Sequence, residues 1–554
     1  MSLTTEGPAA TDEAGDRQPQ GGEEQPARAA CSARPRPSAM GAVPVRLGRP
    51  TSDGMTRRFA SSDPSPGLDL ARRPVLARLM RDRRFQFLLV LPNQIVFWTV
   101  IFVGLLGTAV PGLNFGTAIT WYVWFCLVFV MMVVVGRAWC SMCPFGGFAE
   151  WVQRRALFRR TQKALGLGLK FPEPLARLGF LIPVGSFVLL TWIEEFFNIA
   201  GPGNPADTSF MVIGIVLSAL VFFLVFERRT FCRYVCPLTT LIGTVGSMGS
   251  VAGFRTRDRE ICLACTTKDC MRGSENGYGC PWFEWVGSAT SNLMCGLCAE
   301  CFKNCPKDNI GLFAQPPLTS VIQPVRRRWD IGVVAIGLLG IVVFQQLNAL
   351  PLYTVIDGFL NRVTHFPGYP NPLDYLGVIA GVMAVIGAYA MLLRALLAKR
   401  TIPLRPLGAS VDRRALRQAW WQGYAQWLTP IAYAMIPVVA ADYLSRQLPK
   451  LFDHALRIVP AISDPFDLGW NLFGTAHSSL YNVRLLSTAG VVHVQMAVMI
   501  VGTLGALYAT WTVVRRDMAQ LTARPTVLLV ATLTFVALSG IALTWLYAVM
   551  GGAQ

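Results

Sequence analysis

The chain has 554 residues, 53% of them hydrophobic and 15% charged, where a soluble domain carries about 25% charged residues. The apolar excess lies in long uncharged runs, which excludes a soluble globular enzyme, a collagenous rod and a wholly disordered chain. The net charge of +18 does not point to nucleic acid, because the Arg and Lys residues cluster in alternate loops, the orientation signal of a membrane protein.

Residues 1–84 are poor in aromatics and rich in Pro, Gly, Ala, Arg and Glu, so they read as a disordered cytoplasmic tail. No apolar core of a cleavable signal is visible there. Arg83-Arg84 reads as the basic flank of the first span rather than as a twin-arginine signal, and Met55 and Met80 are alternative starts. Residues 85–254 form a four-span unit: Phe85 to about Val110, Ala118 to Val135, about Leu178 to Ile193, and Ser209 to Phe226. A polar, cysteine-rich module occupies residues 255–328. Residues 329–554 add five spans: Ile331 to about Tyr353, Tyr375 to Leu393, Ala419 to Ala441, Leu485 to Val514, and about Thr526 to Met550. Pro92, Pro183 and Pro430 fall inside spans, where neighbouring helices must satisfy the freed carbonyls. The expected fold is an all-α polytopic integral membrane protein of about nine spans, with a small α+β two-cluster module inserted between the fourth and fifth.

Basic residues set the orientation. Arg154, Arg155, Arg159, Arg160, Lys163 and Lys170 follow the second span, Arg326 to Arg328 precede the fifth, and Arg515, Arg516 and Arg524 follow the eighth. Residues 197–208 on the other side have none. The expectation is a multi-pass protein of the cytoplasmic membrane, with N-terminus and module cytoplasmic and the C-terminus external. The clustered cysteines then face a reducing compartment, which argues against a disulfide framework.

Of the 14 cysteines, most stand in two constellations. Cys295-Gly-Leu-Cys298-Ala-Glu-Cys301-Phe-Lys-Asn-Cys305-Pro306 has the C-x2-C-x2-C-x3-C-P spacing of a bacterial ferredoxin, in which three thiolates wrap one cubane and the fourth reaches another. Upstream stand Cys262-Leu-Ala-Cys265, Cys270 and Cys280-Pro281. The usual exchange assigns Cys262, Cys265, Cys270 and Cys305 to cluster 1, and Cys280, Cys295, Cys298 and Cys301 to cluster 2. The four-residue gap between Cys265 and Cys270 departs from the standard two, and a zinc site is the competing reading of the C-x2-C pairs. The second constellation is duplicated: Arg137-Ala-Trp-Cys140-Ser-Met-Cys143-Pro144 after the second span, and Arg229-Thr-Phe-Cys232-Arg-Tyr-Val-Cys236-Pro237 after the fourth. Four thiols from two helix ends on one side of the membrane suit a third iron–sulfur cluster, a zinc site or a redox-active dithiol pair.

These paired motifs, followed by a two-cluster module, resemble the membrane polyferredoxins over about residues 85–328. That group includes membrane quinol-dehydrogenase subunits of periplasmic nitrate reduction, the regulator of nitrous-oxide reduction and an accessory ferredoxin of cytochrome-oxidase assembly. The resemblance implies electron transfer between the quinone pool or a cytoplasmic donor and a redox partner protein. It does not extend to the last five spans, and no periplasmic flavin domain of the nitrous-oxide regulator kind is present. Two other readings stand beside it: an accessory protein that reduces or hands over copper, and a redox-sensing membrane regulator.

Weaker signals complete the reading. Of His365, His454, His477 and His493, only His493 lies within a span, so a bis-histidine haem is not expected. Glu194 and Glu195 at the outer end of the third span read as headgroup residues, with proton transfer from quinol as the alternative. Trp121, Tyr122 and Trp124 read as an interfacial belt, with a quinone surface as the alternative. Cys31 and Cys126 read as inert lone thiols. The partners expected are the lipid bilayer, a redox protein and quinone, without nucleic acid.

Overall fold

The computed structural model describes residues 67–158, 164–201, 203–323, 327–399 and 413–552. The expectations for residues 1–66, Cys31 and Met55 among them, lie outside these. Apolar composition without charge makes long helices where backbone groups must bond within their own segment. The first half holds α1 (Pro74–Arg81), α2 (Phe85–Leu106), α3 (Phe115–Val135), α4 (Trp139–Met142), α5 (Pro144–Arg154), α6 (Leu181–Phe196), α7 (Pro205–Val225), α8 (Thr230–Tyr234) and α9 (Pro237–Gly246).

The module is built on two antiparallel strands, β1 (Val251–Thr256) and β2 (Ile310–Ala314), with the short helices α10 (Arg259–Ala264), α11 (Asp269–Arg272) and α12 (Glu300–Lys303) between them. Its sheet therefore starts four residues before the expected boundary. The second half holds α13 (Trp329–Leu347), α14 (Pro351–Thr364), α15 (Pro372–Leu397), α16 (Arg413–Ala434), α17 (Ile436–His454), α18 (Thr488–Val513) and α19 (Pro525–Gly552).

Among the described residues, seven helices are long and apolar enough to cross a membrane, and α16 with α17, bent by 40° at Met435, makes an eighth. This is a multi-pass membrane protein. The remaining segment of the nine expected is α6, which has 16 residues, about 24 Å of helix against a core of roughly 30 Å. Its ends show how it sits. The Phe180 N–H donates to Asp330 at the start of α13 (3.0 Å), and Glu195 accepts from Gln345 near the end of α13 (2.7 Å). The two helices run side by side over nearly the whole of α13, which is itself buried on almost every side.

The expected tail also needs correction. Residues 67–84 are part of the module. Asp69 bridges to Phe313 beside β2, its carboxylate caps Ala71 (2.9 Å) and pairs with Arg257 (2.9 Å), and Arg81 pairs with Asp308. Met80 is buried in the same cluster as Phe254 and Phe302. Composition favoured disorder, but backbone pairing and ion pairs to a partner far along the chain hold this segment.

The aromatic belt is likewise not a belt. Trp121 and Tyr122 are buried, on a stretch of α3 wound as a π-helix from Ala118 to Trp124. The Trp121 indole donates to Thr208 of α7 (3.0 Å), and Tyr122 packs against the His454 ring. His493 is exposed at the start of α18 and bonds its own helix at Ala489 (2.6 Å). Cys126 is buried among apolar side chains with Leu448 and Val491.

Candidate electron-transfer site

The module's loops are shaped around sulfur. Lys268, Leu297 and Ala299 take left-handed backbone conformations (φ 49°, 54° and 61°) that turn the chain sharply between cysteines. Cys262, Cys265, Cys270 and Cys305 line one cavity together with Asn309. The long gap before Cys270 is taken up by the turn at Lys268, which opens α11 and carries Cys270 back to the cavity. Asn309 donates its backbone N–H to the Cys305 Sγ (3.3 Å) and its side chain to the Cys262 Sγ (3.4 Å). Cys280, Cys295, Cys298 and Cys301 form a second group, each within electrostatic reach of others in the set, and Cys301 also reaches Cys270 of the first. The Phe254 N–H donates to the Cys295 Sγ (3.4 Å). At Gly253 (φ +86°) an added Cβ would lie 2.8 Å from that sulfur, so only glycine leaves the space.

The duplicated pairs meet at the membrane edge. Cys140 lies on α4 and Cys143 opens α5; Cys232 lies on α8 and Cys236 opens α9, each second cysteine followed by a proline in the first turn. Burial pushes the Cys143 thiol up to about 12, with Cys236 and Cys140 adding to the shift and Arg229 opposing it. Burial raises Cys236 to about 11 and pushes Cys232 well above the ordinary thiol range, with the neighbouring sulfurs adding to the shifts. Among the described residues no three His, Cys, Asp or Glu side chains close on a single metal ion.

Sequence reasoning missed the arginines, although their signal was in the repeat: Arg137 and Arg229 each stand three residues before the first cysteine of a pair. Both are almost fully buried. Arg137 donates to the Cys140 Sγ (3.3 Å), to the Leu293 carbonyl (2.6 Å) and to Thr239 (3.1 Å), and lies over the Trp282 ring at 4.2 Å. Arg229 donates to the Cys140 carbonyl (2.8 Å) and to Glu150 (2.6 Å), and is within reach of both Cys232 and Cys298. Arg228 donates to the Cys280 carbonyl (2.8 Å) and Arg233 to the Trp282 carbonyl (2.6 Å). Four guanidinium groups thus fasten the second thiol group to the membrane-edge group.

Residues 117–164 and residues 208–253 each match the family model described as a 4Fe-4S binding domain. The two matches support iron–sulfur electron transfer by this chain. The duplicated match supports two [4Fe–4S] clusters and falls on the membrane-edge pairs, with the module at 262–305 outside it. The chain is also 27% identical over 191 residues to an uncharacterized protein of Methanocaldococcus jannaschii, across 33% of this chain and 74% of that one. No solved structure matches.

An apolar cavity begins where the membrane-edge cysteines end. Trp139, Pro144 and Leu238 on its wall adjoin Cys140, Cys143 and Cys236 in sequence, and Phe97, Trp121 and Trp124 line it deeper in. At its far end stand Glu194, Gln345 and Arg446. Glu195 pairs with Arg446 (2.7 Å) and Glu194 faces the cavity. Among the described residues, the indole N–H groups of Trp124 and Trp139 have no hydrogen-bond partner.

Proposed function

We propose that this protein passes electrons between a quinol or quinone dissolved in the membrane and a redox partner on the cytoplasmic side. When bound, [4Fe–4S] clusters accept and release single electrons, with potentials tuned by hydrogen bonds to sulfur and by burial. Cys262, Cys265, Cys270 and Cys305 would hold one cluster, Cys280, Cys295, Cys298 and Cys301 a second, and Cys140, Cys143, Cys232 and Cys236 a third. The backbone donors at Phe254 and Asn309, and the space kept by Gly253, fit such a group.

The observation that carries the reading is the wall shared by the apolar cavity and the membrane-edge cysteines through Trp139, Pro144 and Leu238. A quinone offers carbonyl oxygens to the unpartnered indoles of Trp124 and Trp139 and a flat ring to the aromatic wall. Arg137 and Arg229 hold the thiol groups in a fixed series from that wall to the module, so no part of the chain need move between steps. The loop arginines support a cytoplasmic module and an external C-terminus.

The test is anaerobic protein in lipid nanodiscs, mixed with a long-chain quinol. Quinol should bleach the cluster absorbance, and Trp139→Leu should slow bleaching by quinol but not by dithionite. If dithionite bleaches the parent protein and quinol never does, the quinol reading is wrong. A copper-handling protein would instead bind copper stoichiometrically through the four membrane-edge thiols.

A further inference from the structure

We infer that this chain sends the two products of quinol oxidation to opposite faces of the membrane, electrons at the cysteine end of the cavity and protons at the Glu194 end, so that turnover moves charge across the bilayer. The inference rests on the quinol reading above. From Leu181, beside the cysteine end, to Glu194 is 13 residues of α6, a rise of about 20 Å. The cavity lies between these levels, with Trp139, Pro144 and Leu238 at one end and Glu194 at the other.

Glu194 is the only acid on the cavity wall. Among the described residues its carboxylate makes no hydrogen bond or ion pair, while its neighbour Glu195 is engaged by Arg446 and Gln345. A carboxylate in that position, free of a partner inside a membrane bundle, is a proton acceptor in waiting. The groups around it are Glu195 on α6, Arg446, Lys450 and Tyr443 on α17, and Tyr375 on α15. Lys450 also lies over the Trp121 ring at 5.5 Å. Glu195 is within reach of Tyr369, which is exposed and bonded to Asn348 past the end of α13. The acidic pair therefore leads from the cavity toward the surface opposite the module.

The cysteine end has the reverse character. The cavity lining at this end carries no acid, and the buried guanidinium of Arg137, whose bonds go to Cys140, Leu293 and Thr239 and to no carboxylate among the described residues, stands between the cavity and the module. Fixed positive charge across a narrow route excludes protons and does not hinder electrons. Each quinol that becomes quinone releases two electrons and two O–H protons. The electrons leave one at a time through the cysteine side to an oxidant there. The protons pass to the Glu194 carboxylate and then, by Glu195, to water on the far side.

The experiment uses full-length protein in sealed vesicles containing long-chain ubiquinol, with the pH dye pyranine trapped inside and ferricyanide, which does not cross lipid, outside. Only molecules with the module outward deliver electrons to ferricyanide, and protein-free vesicles give the background. The lumen should acidify by about two protons for each quinol oxidised, following that stoichiometry. Glu194→Gln should slow quinol oxidation by about 100-fold, as loss of a general base does, and abolish its rise with pH, while iron content and dithionite bleaching stay at the parent level. Glu194→Asp should recover most of the rate, which separates a lost proton acceptor from a damaged fold. The inference is overturned if protons appear on the ferricyanide side, or if Glu194→Gln keeps the parent rate. Absence of any quinol oxidation in the parent, with dithionite bleaching intact, overturns the quinol reading itself.

Discussion

Replacing Glu150 with Gln should cost this protein about 3–5 kcal/mol, the usual result of removing one partner from a buried ion pair. The Glu150 side chain is 3% exposed and that of its partner Arg229 1%. Its carboxylate accepts from Arg229 Nε (3.0 Å) and its terminal nitrogen (2.6 Å), from Gln86 (3.3 Å), and from Arg154. Glutamine keeps the shape and removes the charge, leaving Arg229 and Arg154 to face each other with nothing between them. Burial alone would raise the Glu150 pKa, but Arg154 and Arg229 together hold it below the usual carboxylate range. A lowered folded-state pKa stabilises above the unfolded value of about 4.3, and that stabilisation fades as pH falls through the folded value. The cost of Glu150→Gln should thus be constant from pH 5 to 8 and shrink in stronger acid. Reversible SDS titration in mixed micelles measures it. The double variant Glu150→Gln/Arg229→Gln should be less unstable than the single one, because the more deeply buried of the two cations is no longer left bare. A single-variant cost under about 1 kcal/mol, or a double variant that is worse, would refute the reasoning.

Three further outcomes follow from the same geometry. Gly253→Ala should lower the iron content of anaerobically prepared protein by about four atoms, one cubane, because the new Cβ falls 2.8 Å from the Cys295 sulfur; metal analysis checks it. Arg137→Gln should shift the midpoint potential of one cluster negative in a redox titration, since a cationic donor 3.3 Å from the Cys140 sulfur is lost. Asp442→Ala should cost about 1–3 kcal/mol by SDS titration, because Tyr547 (2.7 Å) and Gln346 lose a shared acceptor on a fully buried site, whereas Asp442→Asn should cost much less.

What the sequence made legible were the features written locally. The spacing of Cys295, Cys298, Cys301 and Cys305 is a property of eleven consecutive residues, and an uncharged run announces its own helix. What it hid depends on distant partners. Trp121 near the end of a span suits an interface and a packed interior equally well, and only Thr208 on α7 decides between them. Residues 67–84 look disordered until β2 and Asp308 are set beside them. The arginines before Cys140 and Cys232 show in the sequence only as part of the repeat, because their partners, Leu293, Trp282 and Glu150, lie elsewhere in the chain. The cavity draws on α2, α3, α6, α7, α13 and α17, which no single stretch could disclose.

The clasp formed by residues 67–84 also imposes an order on biosynthesis. Asp69 leaves the ribosome about 245 residues before Ala314 completes the strand on which it docks. At about 5–20 residues per second, the segment waits roughly 10 to 50 s while four membrane-embedded helices and all twelve clustered cysteines emerge. During that interval the module's thiols lack the cover that residues 67–84 provide, and they are open to iron and sulfide. A segment made early is thus among the last pieces to dock on the module, because β2 must be complete before Asp69 can pair with it.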